Sequence, residues 1–354
     1  MAEIIAQLAD TIRKASADQT PLRIRGGGSK DFYGGPPRGE TLSIAAYRGI
    51  VDYEPTELVL TARAGTPLAE IENTLRERDQ ILAFEPPHFA PSATLGGCIA
   101  AGLSGPRRAY AGSARDFMLG VRMLDGKGDD LKFGGQVMKN VAGFDVSRLM
   151  TGSLGTLGVI LEVSLKVLPL PAAEATLRFD KSAAEAILFV NELAGKPLPV
   201  SAVAWSGGRL TLRLSGAAAA VDAAIKKLGG ERADATQAAQ YWQSIREHTD
   251  AFFTGPLPLW RLSVKSTTPP LNLPGSQLIE WGGSLRWLAT DADAQAVRDA
   301  AIFGGGHATL FRGGDKSSGV FQPLAPALAM IHRNLKRAFD PAGILNPGRL
   351  YPDL

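Results

Sequence analysis

Cysteine is close to absent from this chain. One of 354 residues is cysteine, Cys98, and no C-x-x-C pair exists, which excludes an intramolecular disulfide framework and a zinc or iron–sulfur site held by this chain alone. Charge of one sign is also lacking. The 38 Lys+Arg against 35 Asp+Glu leave a formal +3, and basic residues such as Arg76, Lys226, Arg333 and Arg337 are scattered rather than interleaved with aromatics, which argues against nucleic acid as a partner. No apolar run approaches the ~20 residues of a spanning helix, the longest lying near Leu95–Leu103. The first residues carry Glu3 and Asp10 and place Ile4, Leu8 and Ile12 on one helical face, so they read as a packing helix rather than a signal peptide. The expectation is a protein of a reducing compartment, held at a membrane at most through a partner.

What the chain does contain is apolar material for two cores, 45% of its residues, and 40 glycines, well above the ~7% of ordinary chains. The glycines fall in clusters. Pro21–Arg25 reads as a strand running into Gly26-Gly27-Gly28-Ser29, followed by strand-like runs at Thr41–Asp52 and Glu57–Ala64 and a helix capped by Thr66 with Pro67 at its first position. Residues 84–115 are rich in Gly, Ala, Pro and Ser and poor in long side chains, as if backbone were laid against something flat. Strands resume at Phe117–Leu124 and Asp130–Phe133 around an Asp125–Gly128 hairpin turn, and again at Gly158–Pro169. From about Pro171 alanine-rich helices alternate with short strands in β-α-β-β-α order, and a second such half is expected from 259 to 311. A last helix with Leu328, Ile331, Leu335 and Phe339 in phase leads to the tail Gly343–Leu354.

Three clusters carry chemistry. Arg25-Gly26-Gly27-Gly28-Ser29 can present consecutive N–H groups to a phosphate, or can be a plain loop; neither a P-loop nor the third glycine of a Rossmann turn is present, since Asp31 stands in that place. Thr94-Leu95-Gly96-Gly97 through Gly102 lets backbone approach a planar ligand, or packs helices tightly. Gly152, Gly155 and Gly158 run into Val159-Ile160, preceded by Lys139–Asp145.

Taken together with the tail Phe339-Asp-Pro-Ala-Gly-Ile-Leu-Asn-Pro-Gly348, this ordered set resembles the FAD-binding fold of vanillyl-alcohol oxidase and p-cresol methylhydroxylase. Glu85-Pro-Pro-His-Phe-Ala-Pro-Ser-Ala-Thr-Leu-Gly-Gly97 with Gly102–Arg108 is similar to the FAD-binding subunits of bacterial glycolate oxidases. The resemblance implies an α+β chain: a p-cresol methylhydroxylase-type FAD domain of two α+β subdomains over residues 1–170, an inserted antiparallel α+β cap over 171–314, and a C-terminal helix and tail, 315–354, returning to the flavin. It implies that Arg25, Gly26, Gly27, Gly28 and Ser29, together with Thr94, Leu95, Gly96, Gly97, Ala101, Gly102, Ser104 and Gly105, surround the pyrophosphate and isoalloxazine. Pro87 and His88 would lie on the flavin side, and Gly155, Leu157, Gly158, Val159 and Ile160 along the adenine–ribityl side, with Asn346 returning beside the ring. Many relatives carry a flavin-bonding His after the triple glycine; Ser29 stands there, so FAD is expected to be non-covalent.

By the same resemblance the function is that of an FAD-binding subunit of a glycolate oxidase or dehydrogenase complex. It would oxidise glycolate or D-lactate to the 2-oxo acid and pass electrons through the flavin to a larger homologous flavin subunit and an iron–sulfur subunit. It would be cytoplasmic, peripheral to the inner membrane only through the complex. Oxidising a 2-hydroxy acid needs a base near the hydroxyl and a cation for the carboxylate. The His-rich run of related catalytic chains is missing, and His307 with Arg312 are the candidates left; no metal site is expected. Two other readings stay open: a stand-alone FAD-dependent oxidoreductase of this fold, and a structural or electron-relay subunit without turnover.

Overall fold

The computed structural model describes residues 1–135 and 145–354; the expected contribution of Lys139 to Phe144 lies outside the described residues. The first helix, Ala2–Asp18, buries Leu8, Ala9, Ile12 and Ala15, the spacing that its apolar pattern predicts. The strand Leu22–Arg25 then pairs in parallel with Glu40–Ser43, and Leu22 also bridges Leu345 of the returning tail.

The expected run Thr41–Asp52 is two strands in two sheets. Glu40–Ser43 stays beside Leu22–Arg25, whereas Ile50–Glu54 opens a five-stranded antiparallel sheet. Between them the buried Tyr47 turns the chain, its hydroxyl donating to Glu162 Oε1 at 2.6 Å. That sheet continues through Val59–Arg63, Val159–Lys166, Met118–Leu124 and Asp130–Gly134. Val159–Lys166 is central and buried along most of its length, with the helices Leu68–Arg76 and Leu95–Ala101 contributing to the same core. Thr66 does not cap the first of these: Pro67 is the N-cap residue, and Thr66 Oγ1 instead accepts the N–H of Gly49 at 2.9 Å. Thr94 does cap the second, accepting weakly from Gly97 N.

Residues 173–312 form one eight-stranded antiparallel sheet. Its two halves join where Val200–Ser206 pairs with Ser276–Glu280, a strand the alanine-rich pattern did not suggest. The helix Ala235–Glu247, outside the expected β-α-β-β-α order, is capped by Asp234 and buries Ala238, Trp242 and Ile245. In the second half, alternation sorts the side chains. Trp260, Leu262, Leu288, Ala308 and Leu310 pack with Val297 and Ala301 of the helix Ala294–Phe303. Leu259, Leu278, Leu285, Trp287 and Phe311 pack instead with Tyr33, Ala101, Leu103 and Leu154. The sheet thus turns one face to its own helix and the other to the glycine-rich domain.

The last helix, Pro326–Phe339, departs from its apolar phase. Leu335 and Phe339 reach the core, but Leu328 and Ile331 are half exposed, and the buried residue is Lys336. Its ammonium donates to Asp340 Oδ2 and to the carbonyls of Thr156 and Leu345, each within 2.9 Å. This buried pair fastens the tail to the third glycine cluster.

Candidate functional site

The three glycine clusters meet at one cleft. It is lined by Arg25, Gly26, Gly27, Gly28 and Ser29, by Thr94, Gly96, Gly97 and Ala101, and by Gly155, Gly158, Ile160 and Asn346, and it opens to solvent. Among the described residues the N–H groups of Gly27, Gly28 and Ser29 make no intramolecular hydrogen bond. Three adjacent unpaired donors form an anion-binding concavity. Gly28 at φ 75° and Gly155 at φ 73° need the left-handed region, which glycine enters without strain. Gly27 is needed for another reason: a Cβ there would stand 1.4 Å from the carbonyl oxygen of Ser92.

Cations border the same cleft. Arg23 and Arg25 share Asp31 Oδ2, and Lys30 and Arg349 complete the rim. The turn that follows Lys30 is clasped from the C-terminal segment: Lys316 Nζ donates to the carbonyls of Phe32 and Gly34, and Arg349 to those of Asp31, Tyr33 and Gly35. Consecutive carbonyls from 31 to 35 are thereby held by two cations. Asn346 lines the cleft, but its amide is spent on the protein, accepting from Ile24 N at 2.8 Å and donating to Leu154 O at 2.6 Å. The opposite lining, from Ile44, Ala100, Ala101, Leu154 and Ile160, is apolar. Unpaired N–H groups and cations beside an apolar wall suit a ligand that is anionic in one part and flat and apolar in another, as FAD is.

Several expected ligand contacts have other surroundings. Leu95, Leu157 and Val159 are buried in the core, and Gly102 ends its helix in the left-handed region. His88 Nε2 lies 3.2 Å from Glu72 Oε1, and its carbonyl accepts from Lys30. Pro87, Ser104 and Gly105 line a second, small cavity with His248, Arg261, Glu280, Trp287 and Phe311.

That second group was not foreseen. Its members come from a helix end and separate strands, and no local motif joins them. His248 ends the helix Ala235–Glu247 at φ 54°, stacks on Phe253 with centroids 4.0 Å apart, and leaves Nδ1 buried without a hydrogen-bond partner among the described residues. Burial, with the charges of Arg312 and Arg261, pushes its pKa down to about 3, so the ring is neutral. Glu280 accepts from Trp287 Nε1 at 2.7 Å, and burial pushes its carboxyl up to about 8. At neutral pH Glu280 therefore keeps its proton and leaves the charge of Arg261 largely uncancelled.

His307 and Arg312 do not converge. They begin and end one strand, roughly 16 Å apart along the backbone. His307 is exposed at the sheet's edge, and Arg312 donates to the carbonyl of Phe253. Too far apart and differently engaged, they do not form the base-and-cation couple expected for one small acid.

Comparisons with known proteins follow the same outline. Residues 1–134 match the family model "FAD binding domain" and 313–350 match "FAD linked oxidases, C-terminal domain". The chain is 49% identical over 347 residues to glycolate oxidase subunit GlcE of Escherichia coli (strain K12), covering 98% of this chain and 97% of that one. It is 28% identical over 190 residues to glycolate oxidase subunit GlcD of Bacillus subtilis (strain 168), covering 52% of this chain and 40% of that one. Among solved structures, p-cresol methylhydroxylase with substrate bound superposes at a TM-score of 0.70 and 15% identity, covering 99% of this chain and 87% of that one, a likeness of fold alone. With α+β architecture of the p-cresol methylhydroxylase type and near full-length identity to one such subunit, the chain belongs to the FAD-linked oxidase family that includes glycolate oxidase subunit GlcE.

Proposed function

We propose that this chain is the FAD-binding subunit of an oxidoreductase acting on the CH–OH group of a small 2-hydroxy acid, glycolate first and D-lactate second. The observation that carries this reading is the near full-length identity to a glycolate oxidase subunit, joined to a cleft whose donors suit FAD. Residues 1–170 and the tail would hold the cofactor, and 171–314 would form the cap. The N–H groups of Gly27, Gly28 and Ser29 would take the diphosphate, and the small residues at 96, 97 and 101 would admit the ring system. Ser29 supplies no imidazole for a flavin bond, so FAD would be held non-covalently. When bound, the flavin supplies the two-electron acceptor that no side chain of this protein can provide.

On the cap side, Arg261 is the cation for a substrate carboxylate, with neutral Glu280 leaving it available. His248 Nδ1, in the tautomer with its proton on Nε2, is an acceptor for the hydroxyl, and the aromatic walls of Trp287, Phe311 and Phe89 keep water out. Onward transfer of electrons would need a partner, because a single cysteine cannot ligate a cluster; we assign that place to a larger homologous flavin subunit and an iron–sulfur subunit. Among the described residues no helix is long and apolar enough to cross a membrane, and a cytoplasmic subunit reaching the inner membrane through its complex fits that.

A second reading, an electron-relay subunit without turnover, is favoured by one observation. The cavity beside His248 and Arg261 leaves about 20 Å³ for the centre of a water molecule, against about 100 Å³ in the glycine-lined cleft, which is room for roughly one water. The experiment is an absorption spectrum of the chain expressed alone, before and after acid precipitation, followed by anaerobic glycolate. Flavin released wholly into the supernatant and bleached by glycolate supports the first reading. Flavin that bleaches only when the partner is present supports the relay, and a folded chain that takes up no FAD even when co-expressed sinks both.

A further inference from the structure

The cations around the glycine-lined cleft are not equally engaged. Arg23 and Arg25 share the carboxylate of Asp31, and Arg349 is gripped by the carbonyls of Asp31, Tyr33 and Gly35. Lys30 is held loosely. Its Nζ lies 3.3 Å from the carbonyl of His88, 3.4 Å from Ser29 Oγ and 5.5 Å from the centroid of Phe89, and among the described residues it forms no ion pair within 4.0 Å. An ammonium carries three strongly hydrated donors, and two long contacts do not replace that hydration.

The nearby groups that could balance its charge are already committed or neutral. Glu247 Oε2 accepts the N–H groups of His88 and Phe89, and Oε1 accepts from Arg246. The buried thiol of Cys98, pushed up to about 12, stays protonated at neutral pH. Burial correspondingly pulls the Lys30 amine below its ordinary value, which the nearby Glu247 carboxylate only partly opposes. A half-buried cation without a close counter-charge is costly, and this one lines the cleft.

We infer that Lys30 supplies the positive charge that answers an anionic part of the bound flavin nucleotide, either its diphosphate or its ring system once reduced. The inference rests on the proposed function only in taking FAD as the occupant of the cleft. It concerns a residue that the glycine motifs do not mark, since the triple glycine and Ser29 end just before it.

The test uses the full chain, with its partner if FAD is retained only there, as wild type, Lys30→Met, Lys30→Gln and Lys30→Arg. Apoprotein is titrated with FAD and with riboflavin, which lacks phosphate, and the reconstituted protein is titrated with sulfite, whose affinity for bound flavin reports stabilised negative charge on the ring. If the diphosphate is the anion, Lys30→Met weakens FAD by about tenfold or more and leaves riboflavin unchanged. If the ring is the anion, sulfite affinity falls by a similar factor and the midpoint potential drops, while oxidised FAD binds as before. Lys30→Arg stays within about threefold of wild type in either case. Lys30→Gln, which keeps a donor toward His88 and Ser29, gives the same readings should the methionine variant not fold. Neutral variants that match wild type in both FAD and sulfite affinity overturn the assignment. A protein that binds FAD with these properties yet ignores glycolate sinks the substrate reading and leaves Lys30 standing, whereas a wild type that takes up no FAD in any form removes both.

Discussion

The two walls of the central region are built on opposite principles. On the glycine-rich side the cleft is lined by backbone: Gly27, Gly28 and Ser29 offer N–H groups, and what matters is the absence of side chains. On the cap side the cavity is lined by large side chains, with Arg261, Glu280, His248, Trp287 and Phe311 brought together from separate elements. The first wall is a local property of short segments held rigidly; the second exists only once the eight-stranded sheet has formed. The difference predicts that the first fails when atoms are added and the second when atoms are removed.

The largest effect is expected where the backbone wall is anchored. Lys336→Met leaves Asp340 as a buried charge without its cation and releases the carbonyls of Thr156 and Leu345. A loss of about 3–5 kcal/mol in chemical denaturation, with loss of bound FAD, should follow; an unchanged midpoint would show that the tail is not fastened by this pair. Next comes Gly27→Ala, whose Cβ would overlap Ser92 backbone. It should cost about 3 kcal/mol and yield protein without flavin, measured as the ratio of visible to ultraviolet absorbance.

The cap wall should respond differently. Arg261→Met should keep FAD content at wild-type level while slowing glycolate-dependent bleaching by about 100-fold; unaltered bleaching would move the carboxylate site elsewhere. Glu280 gives a pH test. Its carboxyl, raised from 4.5 to about 8, holds a proton in the folded chain that the unfolded chain has lost. Its stabilising contribution is full below pH 4.5 and is lost as pH rises through about 8. Glu280→Gln keeps an acceptor for Trp287 but removes that slope, so melting temperatures should agree near pH 5 and separate by pH 8.5 with wild type lower. Parallel melting curves across the range would refute the buried neutral acid. The smallest effect belongs to His307→Ala, which should change bleaching by less than about threefold because His307 is an exposed edge residue.

Legibility followed the same division. The glycine clusters could be read because each lies within a few consecutive residues and glycine's steric role is local; the structure brings all three to one cleft. His307 and Arg312 are near in sequence and chemically suitable, yet one strand holds them at opposite ends. Arg261 sits in the unremarkable strand Leu259–Ser263, and His248 ends a helix whose sequence gives no sign that the ring is buried. Lys30 directly follows a motif residue, but a lysine after a turn has no distinctive pattern.

What the amino-acid order determined by itself was the α+β character, the absence of cluster ligands, and a backbone cradle at Gly26–Ser29, since these depend on composition and on conformational freedom over a few residues. Only the tertiary structure decided which charges are spent and which remain available. Arg23 and Arg25 are paired with Asp31, Arg349 and Lys316 with carbonyls of the 31–35 turn, and Arg312 with Phe253, while Arg261 and Lys30 face the two cavities. A cation's availability depends on the groups that packing places within a few ångströms, and for Lys316 and Arg349 those come from parts of the chain hundreds of residues away.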